Sequence, residues 1–291
     1  MSDLLTWALA FRWRVVSLSA ALAVSPVTAP LASALLVLCC LEKTPRQAVL
    51  SAVMASALLA VLAVIVGARV WSAPATLVGW LLIIGMAALV RRFASLNLAL
   101  QLASLMALLG IVVWTLLVTD PGSVFEPLVT GLLQPLVSQG NLVADSEMVR
   151  QIAELMPGIM VVSILATLLI SLALGRYWHG LLTGQQQFAA EFRQYRLGRM
   201  TGLIGSAALL AGYLLDGPGA SNLLVVAGAV FFVQGLAVAH ALVKASGLGK
   251  TPLLVLYLAM IFAAQLAIPL VLAAGLVDNW LDLRAKLISR N

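Results

Sequence analysis

Apolar runs of membrane-spanning length, separated by short polar punctuation, occupy most of this chain. The runs cover residues 15–41, 48–68, 74–90, 95–118, 155–177, 197–215, 222–243 and 252–277. A bilayer core of about 30 Å takes about 20 helical residues to cross, so the pattern predicts an all-α, polytopic transmembrane helix bundle of about eight spans. The first run is too long for one crossing: its 27 residues make about 40 Å of straight helix. It also carries Pro26 and Pro30, each of which removes an intrahelical hydrogen bond and bends the chain. The first span is therefore expected to be broken at Pro26/Pro30, either crossing once with a bend or folding into a short helical hairpin. Ahead of it, Trp7, Phe11 and Trp13 beside Arg12 and Arg14 read as an interfacial start, with rings at headgroup level and guanidiniums in the polar layer.

Two connections depart from short turns. Residues 119–154 carry Asp120, Glu126, Asp145, Glu147 and Glu154 against the single cation Arg150. Within them Val124, Phe125, Leu128, Val129, Leu132, Leu133, Leu136 and Val137 recur at intervals of three and four, the spacing of one helix face. They read either as a surface helix kinked at Pro127 and Pro135 or as a loop with incidental leucines. Residues 176–199 are the most basic connection, with Arg176, Arg193, Arg196 and Arg199 opposed only by Glu191. The whole of 1–291 reads as a single integral membrane domain.

Composition agrees with the pattern. Of the 291 residues 63% are hydrophobic and only 10% charged, with a mean hydropathy of +1.08, far from the soluble average of about one quarter charged. The net charge of +6 comes from Lys and Arg scattered singly and in pairs. That is the distribution of topology signals, whereas nucleic-acid binding needs cations gathered on one face, so no nucleic-acid partner is expected. The connections at 42–47, 91–94, 176–199 and 244–251 share one side if every run crosses once, and they hold most of the cations; the opposite side holds Arg69 and Arg150. By the positive-inside rule the basic side is cytoplasmic. Single crossings would then place both termini outside, against the preference of Arg12, Arg14, Arg284, Lys286 and Arg290. A hairpin at Pro26 to Pro30 returns the amino terminus to the cytoplasm and leaves the side of the carboxyl terminus open. No cleavable signal peptide is evident, because the first apolar run contains two prolines and leads straight into further spans.

Candidate chemistry is sparse. Every charged residue falls at or outside the ends of the runs, whereas a charge near the bilayer centre costs about 2.5–3.5 kcal/mol and is generally kept for function. Proton relays and voltage sensors are disfavoured on that ground. Uncharged polar groups do lie within the runs: Asn97, Gln101, Gln234, His240 and Gln265. Asn97 and Gln101, four apart, share a helix face. These five are candidate ligand-binding residues for a small molecule held by oriented hydrogen bonds; the alternative is interhelical amide bonding of about 0.6 kcal/mol each. Gly198, Gly202 and Ser206 form a small-residue stripe that suits close helix approach. Ser206 and His240 lack the Gly-x-Ser-x-Gly turn and third orienting residue of a nucleophile–base pair. Cys39 and Cys40 are neighbours that point apart on a helix and read as apolar filling. No catalytic residue, metal site or cofactor is assigned, and the chain does not read as an enzyme.

The densest polar stretch follows the last run, with Asp278, Trp280, Asp282 and Arg284. A helix continuing past Val277 puts Asp278, Asp282 and Lys286 on one stripe and makes the stretch an interfacial anchor: the indole at headgroup level, the Asp and Arg side chains solvated, and Arg284 paired with Asp278 or with a loop acid.

Three segments, Glu191-Phe192-Arg193-x-x-Arg196, Gln234-Gly235-Leu236-x-x-x-His240 and Gly275-Leu276-x-Asp278-x-Trp280-x-Asp282-x-Arg284, together resemble the YybS-like family of predicted bacterial membrane proteins, most clearly over the last hundred residues. Glu191, Arg193, Arg196, Asp278, Trp280, Asp282 and Arg284 are the residues that carry the resemblance. That family is similar, at a distance, to the substrate-binding membrane subunits of energy-coupling-factor vitamin transporters. The resemblance implies a multi-pass protein of the bacterial inner membrane, a ligand pocket between helices and a membrane or cytoplasmic partner protein. This chain departs from those six-helix subunits in having more spans, and no vitamin-binding loop is identifiable. A scaffold or assembly role without transport is the competing expectation.

Overall fold

The computed structural model describes residues 1–66, 72–139, 145–185 and 187–288. Arg69 and Arg290, which enter the charge argument, and the side chain of Lys286 lie outside the described residues. Fourteen helices and no strand occur among the described residues: α1 (Ser2–Ala10), α2 (Arg12–Ala23), α3 (Ala29–Glu42), α4 (Pro45–Val66), α5 (Ser72–Phe93), α6 (Leu96–Leu117), α7 (Pro121–Ser138), α8 (Ser146–Thr183), α9 (Phe188–Arg193), α10 (Gly198–Leu214), α11 (Pro218–Ser246), α12 (Thr251–Phe262), α13 (Ala264–Leu281) and α14 (Leu283–Ile288). Six of the described helices, α4, α5, α6, α8, α11 and α13, are long and apolar enough to cross a bilayer, and α3 and α12 are shorter apolar helices. Large apolar side chains such as Val61, Ile65, Leu116, Ile261, Phe262 and Leu270 stand on the outside. That arrangement suits lipid rather than water as the solvent.

The chain folds as two compact units, residues 1–100 with 164–195 and residues 101–163 with 196–291. In the first, the break predicted at Pro26 and Pro30 is present: α2 ends at Ala23 and α3 begins at Ala29. Arg12 and Val15 line the same cavity as Cys39 and Lys43, so the two ends of the pair meet and α2–α3 is a hairpin rather than one crossing. At about 18 and 21 Å, each arm is shorter than the hydrocarbon core. The hairpin packs on α4 and α5. Arg91, in the last turn of α5, donates to the carbonyls of Cys40, Leu41 and Lys43 at 2.6–3.0 Å, satisfying the orphan acceptors at the end of α3. The carboxyl-terminal half of α8 runs parallel to α3. Ser171 donates to the Pro30 carbonyl at 3.2 Å, Gly175 lets α8 close on Ala34 and Val37, and His179 meets Glu42 at 3.6 Å.

In the second unit the 119–154 segment contains a helix and not a featureless loop. Asp120 caps α7 by accepting from the Ser123 amide at 3.3 Å, and Pro127 and Pro135 lie inside it. Val129 is buried, while Val124, Leu128, Leu132 and Leu136 form an exposed i,i+4 stripe. Residues 146–154 belong to α8, a single helix of 38 residues, so that span begins earlier than the run at 155–177 implied. Pro157 opens α8 at one point, and buried Asn222 fills the opening. It accepts from the Gly158 amide at 2.6 Å and donates to the Glu154 carbonyl at 2.7 Å, replacing the missing turn of backbone bonding.

The 252–277 run is not one span. It breaks at Ala263 into α12 and α13, about a turn and a half before Pro269, whose ring has no N–H to offer the Gln265 carbonyl.

Candidate functional site

Two glycines decide where the polar groups of the second unit meet. A Cβ on Gly235 would strike the Val271 carbonyl, and one on Gly275 would strike the Phe231 carbonyl. Only glycine at both positions lets α11 and α13 cross with backbone against backbone. That crossing carries Gln234 on α11 to Asp278 near the end of α13. Gln234 Nε2 donates to Asp278 Oδ2 at 3.0 Å, and Gln234 Oε1 accepts from the Leu197 amide at 3.1 Å, tying in the start of α10. Both side chains are fully buried.

The helix ends four residues later because Asp282 adopts a left-handed conformation, φ 49° and ψ 59°. Asp is one of the few non-glycine residues that tolerates it. This reversal folds Arg284 back onto Asp278. Its Nη2 donates to Oδ2 at 2.7 Å, its Nε lies 3.1 and 3.2 Å from the two oxygens, and its own backbone amide reaches Oδ1 at 3.2 Å. Arg284 is only 5% exposed. The expected solvated anchor is therefore corrected for these two residues. The helix does not continue with Asp278, Asp282 and Lys286 on one stripe, and Asp278 is an ionisable group inside a span rather than beyond its end. The pairing with Asp278 takes the place of pairing with a loop acid. Trp280 is half-exposed and donates from Nε1 to Ser206 at 3.2 Å.

Asp282 takes a separate partner, accepting from Arg196 Nη2 and from the Ala285 amide at 3.2 Å. The Arg196 hydrogen bond holds the Asp282 carboxyl below the ordinary carboxylate range, and that same bond raises the Arg196 guanidinium. The pair is partly open to solvent. It draws the carboxyl-terminal segment to the end of the basic connection, beside Gln101, which donates to the Arg196 carbonyl at 2.8 Å.

The predicted residues therefore sort into three groups. Gln101, Arg196, Gln234, Asp278, Trp280, Asp282 and Arg284 converge around the start of α10 and the end of α13. His240 and Gln265 do not join them: His240 Nδ1 faces the Leu236 carbonyl and its Nε2 faces the Tyr257 hydroxyl at 3.3 Å, and Gln265 is exposed on α13. Asn97 and Glu191 belong to the other unit. Asn97 is half-buried there, and Glu191 clasps Arg176 at 2.6 Å. Arg193 is half-buried in the same unit. The small-residue stripe on α10 serves internal packing, with Gly202 against Asn279 and Ser206 under Trp280. Ser206 and His240 thus bond Trp280 and Tyr257, not one another. Asn222 was missed; Pro157 falls at the start of the 155–177 run, where a proline needs no repair, and only the earlier start of α8 at Ser146 puts it inside the helix. Among the described residues no cluster of His, Cys, Asp and Glu suited to a metal ion occurs.

Six helices long and apolar enough to cross a bilayer among the described residues, with a buried carboxylate, guanidinium and amide gathered in the second unit, mark a polytopic α-helical membrane protein. The chain belongs to the family described as predicted membrane protein (DUF2232), whose model matches residues 130–279, just over half of the sequence. The match takes in Gln234, Gly235, Gly275 and Asp278. No curated protein and no solved structure shows significant similarity to the chain.

Proposed function

We propose that the protein binds a small solute within the membrane and helps to move it, without enzymatic chemistry, using the polar centre at α10, α11 and α13. The observation that carries this reading is the Asp278–Arg284 pair, buried among apolar helices at the end of α13. Buried ionisable groups in membrane helices are costly and are kept mainly along solute or ion paths. The two interrupted apolar segments support it as well. The α2–α3 break lies in one unit and the α12–α13 break in the other, and discontinuous helices are how solute-handling bundles present free backbone groups at membrane depth. The resemblance to YybS-like proteins of the bacterial inner membrane, and through them to energy-coupling-factor subunits, points the same way as an analogy of fold.

The test is untargeted mass spectrometry of small molecules released by denaturing gently extracted protein. A compound at near-stoichiometric amount is expected. Release of nothing beyond lipid and detergent refutes the reading.

A scaffold or assembly role is the second reading. It is favoured by the exposed stripe of Val124, Leu128, Leu132 and Leu136 on α7 and by exposed Arg199 in the basic connection. Crosslinking from positions 193 and 199 that captures one stoichiometric protein partner is the result it expects.

A further inference from the structure

The first unit contains a cavity that the polar centre does not use. It has a volume of about 190 Å³ and opens between the amino-terminal helices and the α3–α4 turn, lined by Leu9, Arg12, Cys39, Lys43, Gln47 and Ser51 among others. Its floor is sealed, with Cys39 4% and Ser51 1% exposed, while Arg12, Lys43 and Gln47 stand at the mouth. At about 30 Å³ per water, the space holds roughly six waters, enough for a phosphodiester group.

Its electrostatics are one-sided. The carboxylates described in this unit are Asp3, Glu42 and Glu191. Glu42 faces His179 and Glu191 faces Arg176, and no ion pair joins Asp3 to Arg12 or Lys43 among the described residues. Two cations therefore flank one cavity without a described counter-charge. Gln47 Nε2 adds a donor, while the Ser51 hydroxyl spends its one proton on the Gln47 carbonyl at 2.9 Å and closes the floor.

The surroundings are those of a membrane interface. Trp7, Phe11 and Trp13 are 48%, 55% and 62% exposed. Their rings surround the Arg14 guanidinium at 4.4, 4.8 and 5.4 Å from their centroids, an arrangement in which amphipathic rings lie at headgroup level. Leu4, also exposed, extends the apolar face of α1. By the distribution of Lys and Arg this is the cytoplasmic side, where anionic headgroups concentrate and basic pockets between helices hold them.

We propose that this cavity is a binding site for the phosphate group of an anionic phospholipid, with Arg12 and Lys43 as its charge partners, Gln47 as an additional donor, and the α1 aromatic face against the acyl–glycerol boundary. Its occupation would fix the α2–α3 hairpin to α4 from the cytoplasmic leaflet. A free phosphate or phosphate monoester shares the headgroup chemistry but lacks the chains that α1 would contact.

The test is native mass spectrometry of the full chain released from nanodiscs of phosphatidylglycerol and phosphatidylcholine in equal amounts. Wild type is expected to retain one phosphatidylglycerol in preference to phosphatidylcholine. Near an anionic surface each Lys or Arg contributes about a factor of five, so Arg12→Gln with Lys43→Gln should lower that retention about thirty-fold. Arg46→Gln removes a charge from the same turn without lining the cavity and should cost at most the about five-fold of one surface charge, and Arg12→Lys with Lys43→Arg should restore it. Millimolar glycerol phosphate should not displace the lipid. Displacement by glycerol phosphate would assign the site to a soluble phosphate and overturn the lipid proposal. Equal retention of both lipids, or equal loss in the Arg46 variant, would overturn the site itself.

Discussion

Replacing Arg284 by Met tests whether the polar centre is an ion pair held by burial. The thioether keeps much of the apolar length of the side chain and deletes the guanidinium, so the contacts to Asp278 at 2.7, 3.1 and 3.2 Å disappear. Asp278 keeps the Arg284 backbone amide on Oδ1 and Gln234 Nε2 on Oδ2, so neither oxygen is left bare, but the counter-charge is gone from a fully buried site. Breaking such a pair from one side costs about 3–5 kcal/mol, and the two surviving hydrogen bonds favour the lower end. In a folding unit of this size each kcal/mol shifts the melting temperature by about 2–4 °C, so Arg284→Met should melt about 6–12 °C below wild type in detergent. The assay is thermal unfolding followed by size-exclusion chromatography of a fluorescent fusion. The informative comparison is Asp278→Leu with Arg284→Met, which removes both charges. Because a buried pair replaced by apolar groups of similar size is often nearly neutral, the double variant should recover most of the loss. A single variant that melts with wild type, or a double variant at least as unstable as the single, would show that burial of the pair has been misjudged.

Three further outcomes follow from the same geometry. Gly235→Ala and Gly275→Ala each place a methyl against a backbone carbonyl of the facing helix, and each should destabilise by about 1–3 kcal/mol as overpacking, whereas Gly131→Ala, with nothing within 4 Å, should not. The Asp282 carboxyl titrates below its unfolded value because Arg196 bonds it, so its stabilising effect is complete above the ordinary carboxylate value of about 3.9 and is lost as pH falls through the lower folded value. The advantage of wild type over Asp282→Asn should be small for a solvent-open pair, about 0.2–1 kcal/mol at pH 7, and should shrink in melts as pH falls below the ordinary carboxylate value. The α2–α3 hairpin brings the amino-terminal helices to Lys43, and the Arg196–Asp282 bond holds the carboxyl-terminal segment at Arg196; with the basic connections cytoplasmic by the positive-inside rule, single cysteines at Ser2 and Ala285, in a background lacking Cys39 and Cys40, should resist an impermeant maleimide in intact cells and react after permeabilisation.

Features governed by local chemistry could be read from the chain. Pro26 and Pro30 announced the broken first segment, the three-and-four spacing from Val124 to Val137 allowed the helix of α7, and the distribution of Lys and Arg supplied a sidedness that the hairpin makes consistent for the amino terminus. Features governed by contacts distant in sequence could not. Gln234 and Asp278 are 44 positions apart, and each taken singly looked like weak interhelical bonding or a solvated boundary charge. What joins them is the glycine crossing at Gly235 and Gly275, which composition alone does not distinguish from the other glycines. The reversal at Asp282 had no glycine or proline to mark it, so Asp-Leu-Arg read as continuing helix and its Arg was sent to solvent. The break at Ala263 was hidden for a related reason, since no glycine or proline stands at it and Pro269 lies inside α13.

The central claim, a solute held at the α10–α11–α13 polar centre, is tested most directly by comparing small molecules released from wild type with those released from the Asp278→Leu, Arg284→Met double variant. That variant is expected to stay folded while losing the charges. A compound bound near stoichiometry by wild type and absent from the folded double variant is the predicted result; the same compound retained equally by both would place binding elsewhere and contradict the assignment.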